Sequence, residues 1–160
     1  MTVTEKQTTV LTPEVLLEHW QGHRRLTRRV IEAFPEEKLF SFSLGSMRPF
    51  SEMAMEFLKM AEPIVHGVAT GEWVQSTLAG VQTKAELLAL WDAATNAINR
   101  IWPTIPAHRF AEVDKAFGQW QSQGVATILY AIDNEIHHRG QGYVYLRGLG
   151  IEPPAFYDRS

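Results

Sequence analysis

The sequence predicts an all-α protein, a four-helix bundle with long packed connections. Three observations carry this reading. Apolar residues recur at spacings of three and four in four separate segments, the period of a helix with one buried face. Capping residues and prolines bracket those segments. The long connections are rich in aromatic residues (Phe40, Phe42, Phe110, Phe117, Trp120), so they pack rather than dangle. Four amphipathic helices in one domain spanning residues 1–160 pack as a bundle.

The first helix is expected near 13–33. Thr12-Pro13-Glu14 supplies a capping hydroxyl, a proline in the first turn and an acid near the positive helix end. Val15, Leu16, Trp20, Leu26, Val30 and Ile31 continue it to a stop before Pro35. The second is expected near 50–69, capped by Ser51 or the residues just before it. Pro63 falls inside and predicts a kink or an early irregularity. The third, near 84–101, opens on the capping box Thr83-Lys84-Ala85-Glu86 and ends before Pro103. The fourth, near 123–147, ends at Gly148 and Gly150. Residues Phe110 to Val113 can form a short strand. The connection between the first two helices can cross the bundle's end or its length.

Composition excludes several functions. With 15 basic and 18 acidic side chains the net charge is −3, which gives no electrostatic attraction to nucleic acid or an anionic membrane. There is no cysteine, so disulfides, thiolate nucleophiles and thiolate metal sites are ruled out. No apolar run reaches the roughly 20 residues a membrane helix needs. The first ten residues carry an acid and no apolar core, unlike a secretory signal, so a cytoplasmic location is expected. Five Trp, eight Phe and four Tyr are more than one small bundle easily buries, which predicts a two-fold symmetric homodimer through helix faces.

The chemistry concentrates in DNEIHHRGQ, residues 133–141, inside the last helix. Val125, Leu129, Ile132, Ile136 and Tyr143 read as an apolar stripe. Beside it Ala131, Asn134, His138, Gln141 and Tyr145 form a polar, semi-buried one. Asn134 and His138 stand four apart, the spacing at which two side chains of one helix grip a single ion; His137 is turned about 100 degrees away. On the second helix, Glu56 lies between Met53 and Met60, three and four residues away on the same face. A carboxylate there needs a pair, a proton or a cation. Glu56 facing His138 makes a nitrogen–oxygen site in the bundle core. The plainer alternative is a salt bridge from Glu56 to Arg139 or Lys59. His19 and His23, followed by Arg24, Arg25, Arg28 and Arg29, read as a solvated helix face.

The chain also resembles the DinB family, the DinB/YfiT-like metalloproteins. Leu17-Glu18-His19-Trp20 with Arg24, Pro35-Glu36-Glu37-Lys38-Leu39, Pro49-Phe50-Ser51-Glu52-Met53 and Gly71-Glu72-Trp73 carry the resemblance. So, most specifically, does His137-His138-Arg139-Gly140-Gln141 with Tyr145-Leu146-Arg147. It implies a four-helix bundle, frequently a homodimer, holding a divalent metal (zinc, nickel, iron or manganese) on three histidines. Carried onto this chain, the metal positions are Glu56, Asn134 and His138. Only His138 keeps the usual residue; Glu56 is a good ligand and Asn134 a poor one. The resemblance implies a metal-dependent enzyme of the thiol-transferase kind, acting on a small molecule with a thiol such as bacillithiol or mycothiol and linked to damage or stress responses. The alternative is a non-catalytic dimeric bundle that binds a small ligand or partner at a degenerate metal site.

Overall fold

The computed structural model describes residues 10–160. Four long helices form the bundle: α1 (Pro13–Ala33), α3 (Phe50–Thr70), α4 (Lys84–Ile101) and α5 (Gly124–Gly148). A short α2 (Glu36–Ser41) fills part of the first connection, and a hairpin of β1 (Val113–Ala116) and β2 (Trp120–Gln123) precedes α5. The sheet is antiparallel with Val113 opposite Gln123 and Ala116 opposite Trp120. The strand therefore starts at Val113, where the segment Phe110 to Val113 was expected to end one; Ala107–Phe110 is a 3-10 turn instead.

Local signals explain most ends. The Thr12 hydroxyl accepts from the Val15 amide at 3.3 Å, and the capping box on Thr83 and Glu86 is formed in both directions. At α3 the cap falls among the residues just before Ser51: Pro49 holds that position without a side-chain bond, and Ser51 is buried. The helix runs without interruption through the half-exposed Pro63.

Helix pairing fixes the topology. α3 packs against α4 and α5, and α1 packs against the same two. So α1 and α3 face each other across one diagonal, α4 and α5 across the other. Phe34, at the end of α1, stacks on Phe50, at the start of α3, with ring centroids 5.0 Å apart. The first connection therefore crosses the bundle's end. The Lys84 amine donates to the Phe34 carbonyl at 2.7 Å, which puts the start of α4 at that same end. Residues 71–83 must then return along the whole length of the bundle, and α3 and α4 run parallel.

Apolar side chains gather in two clusters. One, at the end just described, holds Phe34, Leu39, Phe50, Met53, Trp91 and Tyr145. The other holds Leu16, Trp20, Ile64, Val68, Trp102 and Ile132. Buried polar groups fill the middle: His23, Arg24 and Thr27 on α1, and Glu135 and Arg139 on α5. This corrects two expectations. His23 and Arg24 do not belong to a solvated face; they are 2% and 1% exposed. The core-facing stripe of α5 contains Ile128, Ile132, Glu135, Arg139 and Leu146, while Ile136 is 36% exposed. A charged pair four residues apart occupies core positions, which moves the apolar stripe away from where hydropathy alone puts it.

Each charge in this belt is placed by bonds from another helix. The Arg24 guanidinium donates to the Thr95 hydroxyl at 2.9 Å and the Trp91 carbonyl at 3.1 Å, and lies 4.1 Å from the Trp91 ring centre. Arg139 donates to the His23 carbonyl and the Thr27 hydroxyl, both at 3.1 Å. Burial pushes the Glu135 carboxyl up, against the opposing pull of Arg24, the Thr27 hydroxyl and Arg139. Burial first, then the charges of Arg139 and Arg159, holds the His23 imidazole down to about 3. It is neutral at physiological pH.

Candidate functional site

On the opposite side of the same layer, α3 and α5 bring Glu56, Asn134 and His138 together. The Asn134 amide nitrogen donates to Glu56 Oε1 at 2.9 Å. His138 Nε2 lies 3.5 Å from that same oxygen. The 21-residue α3 and 25-residue α5 position these groups, and Asn134 and His138 share a face because four residues return a helix to nearly the same azimuth.

His138 is oriented through its other nitrogen. Nδ1 is 3.0 Å from Gln141 Oε1, and the Gln141 amide nitrogen is 3.3 Å from His137 Nε2. An amide oxygen can only accept, so the proton belongs on His138 Nδ1. His138 Nε2 then faces Glu56 Oε1 lone pair to lone pair, a gap that a proton or a cation fills. The exposed His137 sits at the rim and holds Gln141 in place.

Arg48, which sequence reasoning missed, completes the cluster. Its guanidinium donates to Glu56 Oε2 at 2.7 Å. The salt bridge expected from Arg139 or Lys59 is thus made by Arg48. No helical spacing links the two: Arg48 stands before α3 and its side chain reaches down the helix, so periodicity carries no trace of it. Burial raises the Glu56 pKa, but hydrogen bonds from Asn134 and Arg48, with the Arg48 charge and that of His138 whenever Nε2 is protonated too, outweigh it and leave the carboxyl below its ordinary value.

The donor set tests the implied metal. Ligands at about 2.0 to 2.2 Å from one ion stand roughly 3 to 3.5 Å apart, and the Glu56–His138 separation of 3.5 Å allows this. The rest does not fit a tightly held ion. Catalytic zinc keeps three strong protein ligands, and here the third position turns an N–H, not a lone pair, toward the carboxylate. Asn134 Oδ1 is buried without a partner, and a fixed cation already occupies the second Glu56 oxygen. Among the described residues, no group of three His, Cys, Asp or Glu side chains is arranged to hold a metal. Glu56 and Arg48 also line a cavity of about 640 Å³ with Phe40, Glu52, Met55 and Gln75. The cluster can therefore hold a polar group of a small molecule at the edge of a space large enough for the rest of it.

Comparison with known proteins agrees with the architecture. A DinB-like protein from Bacillus subtilis superposes with a TM-score of 0.74 at 20% identity, covering 91% of this chain and 99% of that one. A DinB-like protein from Bacillus cereus also gives 0.74 at 16% identity, covering 90% and 97%. At such identities the likeness is one of fold. No curated protein matches. The model of the DinB family matches residues 1–160, and the chain belongs to the DinB family.

Proposed function

We propose that this DinB-family chain is a small-molecule-binding bundle whose site is built on a degenerate metal site. The observation that carries the reading is the saturation of Glu56. One oxygen accepts from Asn134 at 2.9 Å and the other from Arg48 at 2.7 Å. Both donors would have to be displaced before a divalent ion took the carboxylate, and a neutral amide returns little of that cost. What the pair of Glu56 and His138 offers is a place for one proton or one cationic or hydrogen-bonding group of a ligand, with the adjoining cavity for its body. Metal content of untagged protein, with calorimetric titration of Zn²⁺ and Ni²⁺, tests this. Metal far below one ion per chain and no saturation at micromolar concentration are expected.

A metal-dependent, thiol-transferase-like enzyme is the second reading. It is favoured by the two lone pairs that face each other across 3.5 Å at Glu56 and His138. Near-stoichiometric metal in the untagged protein would select it over the first, and the ion would then activate water or a thiol by lowering its pKa.

A further inference from the structure

About one turn beyond Glu56 and Asn134, toward the hairpin, α3, α5 and the β-strands enclose a second cavity of about 560 Å³. Small-molecule sites run roughly 300 to 1,000 Å³ and are mostly apolar with few polar groups. Here Met60 and Ile64 come from α3, Phe117 and Trp120 from the hairpin, and Ala126 and Tyr130 from α5.

Two features of this wall stand out. Trp120 and Tyr130 are 60% and 63% exposed, so the bundle gains little from burying them. Phe117 holds φ at +52°. Together with Gly118 at +68° it forms a turn with two left-handed central residues, where Asn-Gly is the unstrained choice and a bulky side chain costs on the order of 1 kcal/mol. In exchange its ring meets Trp73 at 5.3 Å and Trp120 at 6.4 Å, which fixes an aromatic wall facing the cavity. Strain of this kind collects at ligand clamps.

The cavity has one charged lining residue, Lys59. Among the described residues it makes no ion pair; Glu56, one turn away, is taken by Arg48 and His138. We propose that this cavity binds an amphipathic monoanion, with its apolar body among Met60, Phe117, Trp120 and Tyr130 and its carboxylate or sulfonate at Lys59. Lys59, Met60 and Gln75 also border the Glu56 cavity, but the aromatic wall of Phe117, Trp120 and Tyr130 belongs to this one, and the proposal needs no metal at Glu56.

The probes are 1-anilinonaphthalene-8-sulfonate, dodecanoate and its uncharged counterpart dodecanol. The sulfonate should bind saturably at one per chain and raise the melting temperature, which separates a site from the diffuse dye uptake of a loosened core. Trp120→Ala and Tyr130→Ala, which remove mostly exposed rings, should each weaken it about tenfold, a loss typical of one aromatic contact in a small site. Lys59→Met should weaken dodecanoate by about tenfold and leave dodecanol unchanged. Val144→Ala, an exposed change elsewhere on α5, should alter neither. Melting curves of each variant establish that it is folded. Absence of saturable binding, affinity indifferent to Trp120 and Tyr130, or dodecanol bound as tightly as dodecanoate would each overturn the proposal.

Discussion

Asn134 turns an N–H toward Glu56 where a metal site needs a lone pair, and that single exchange can be reversed. Asn134→His places a second imidazole four residues before His138, so Zn²⁺ and Ni²⁺ should bind at least about tenfold more tightly by calorimetry. Adding Arg48→Gln, which frees the second Glu56 oxygen, should increase the gain; no gain in either variant would show that the cluster is not a lapsed metal site. His23 gives a pH prediction. Its folded pKa of about 3 lies below the ordinary 6.5, so between those values the unfolded chain binds more protons and stability falls on acidification. Glu135, pushed up by burial, contributes stability at low pH that is lost as pH rises, so the comparison must be between variants. His23→Gln should flatten the decline of melting temperature between pH 6.5 and pH 4, and an unchanged slope would clear His23 of the effect. Glu56, Asn134 and His138 were legible because helical spacing and the resemblance point to the same positions. Arg48 and the buried His23 were not, since which side of a helix meets a neighbour depends on tertiary packing that one sequence does not display.

At the level of elements, helix ends were readable wherever a side chain makes the cap, as at Thr12 and Thr83. At α3 and α5, whose caps Pro49 and Gln123 make no side-chain bond, proline and the onset of apolar periodicity still placed the starts within one residue. The six-residue α2 was missed because one and a half turns leave no periodicity to detect. α5 was placed correctly and its core face was not, because Glu135 and Arg139 sit where hydropathy expects apolar residues. The same helix approaches α3 closely at Gly142. A methyl group there would fall 2.5 Å from the Phe50 ring, and that ring is fully buried and stacked on Phe34. Gly142→Ala should therefore destabilise by about 1 to 3 kcal/mol despite its better helix propensity, read as a lower denaturant midpoint at unchanged slope. A gain in stability would mean that the α3–α5 contact is looser than described.

For the whole molecule, the homodimer expected from the aromatic content now rests on different ground. Trp20, Trp91, Trp102, Phe34, Phe50, Phe57 and Tyr145 are all buried within one copy, so the count alone no longer calls for a partner. Val15, Val113 and Val144, each more than half exposed, stay outside that core. Sedimentation at micromolar concentration should show twice the 18.2 kDa chain mass, and a monomer alone would end that expectation. The path of the chain has a separate consequence, for how fast the protein reaches its native state. α1 and the next long helix, α3, are diagonal, as are α4 and α5. Neither of these two pairs packs as a hairpin, so apart from Phe34 on Phe50 α1 waits for α4 and α5 to cover it, and α3 and α4 alone are long helices adjacent in both sequence and space. The α1–α4, α3–α5 and α1–α5 interfaces each close a connection of 50 residues or more, and the entropy of those closures is lost before the packing is gained. This bundle should refold in one concerted step, slower than helical bundles whose neighbours in sequence are neighbours in space.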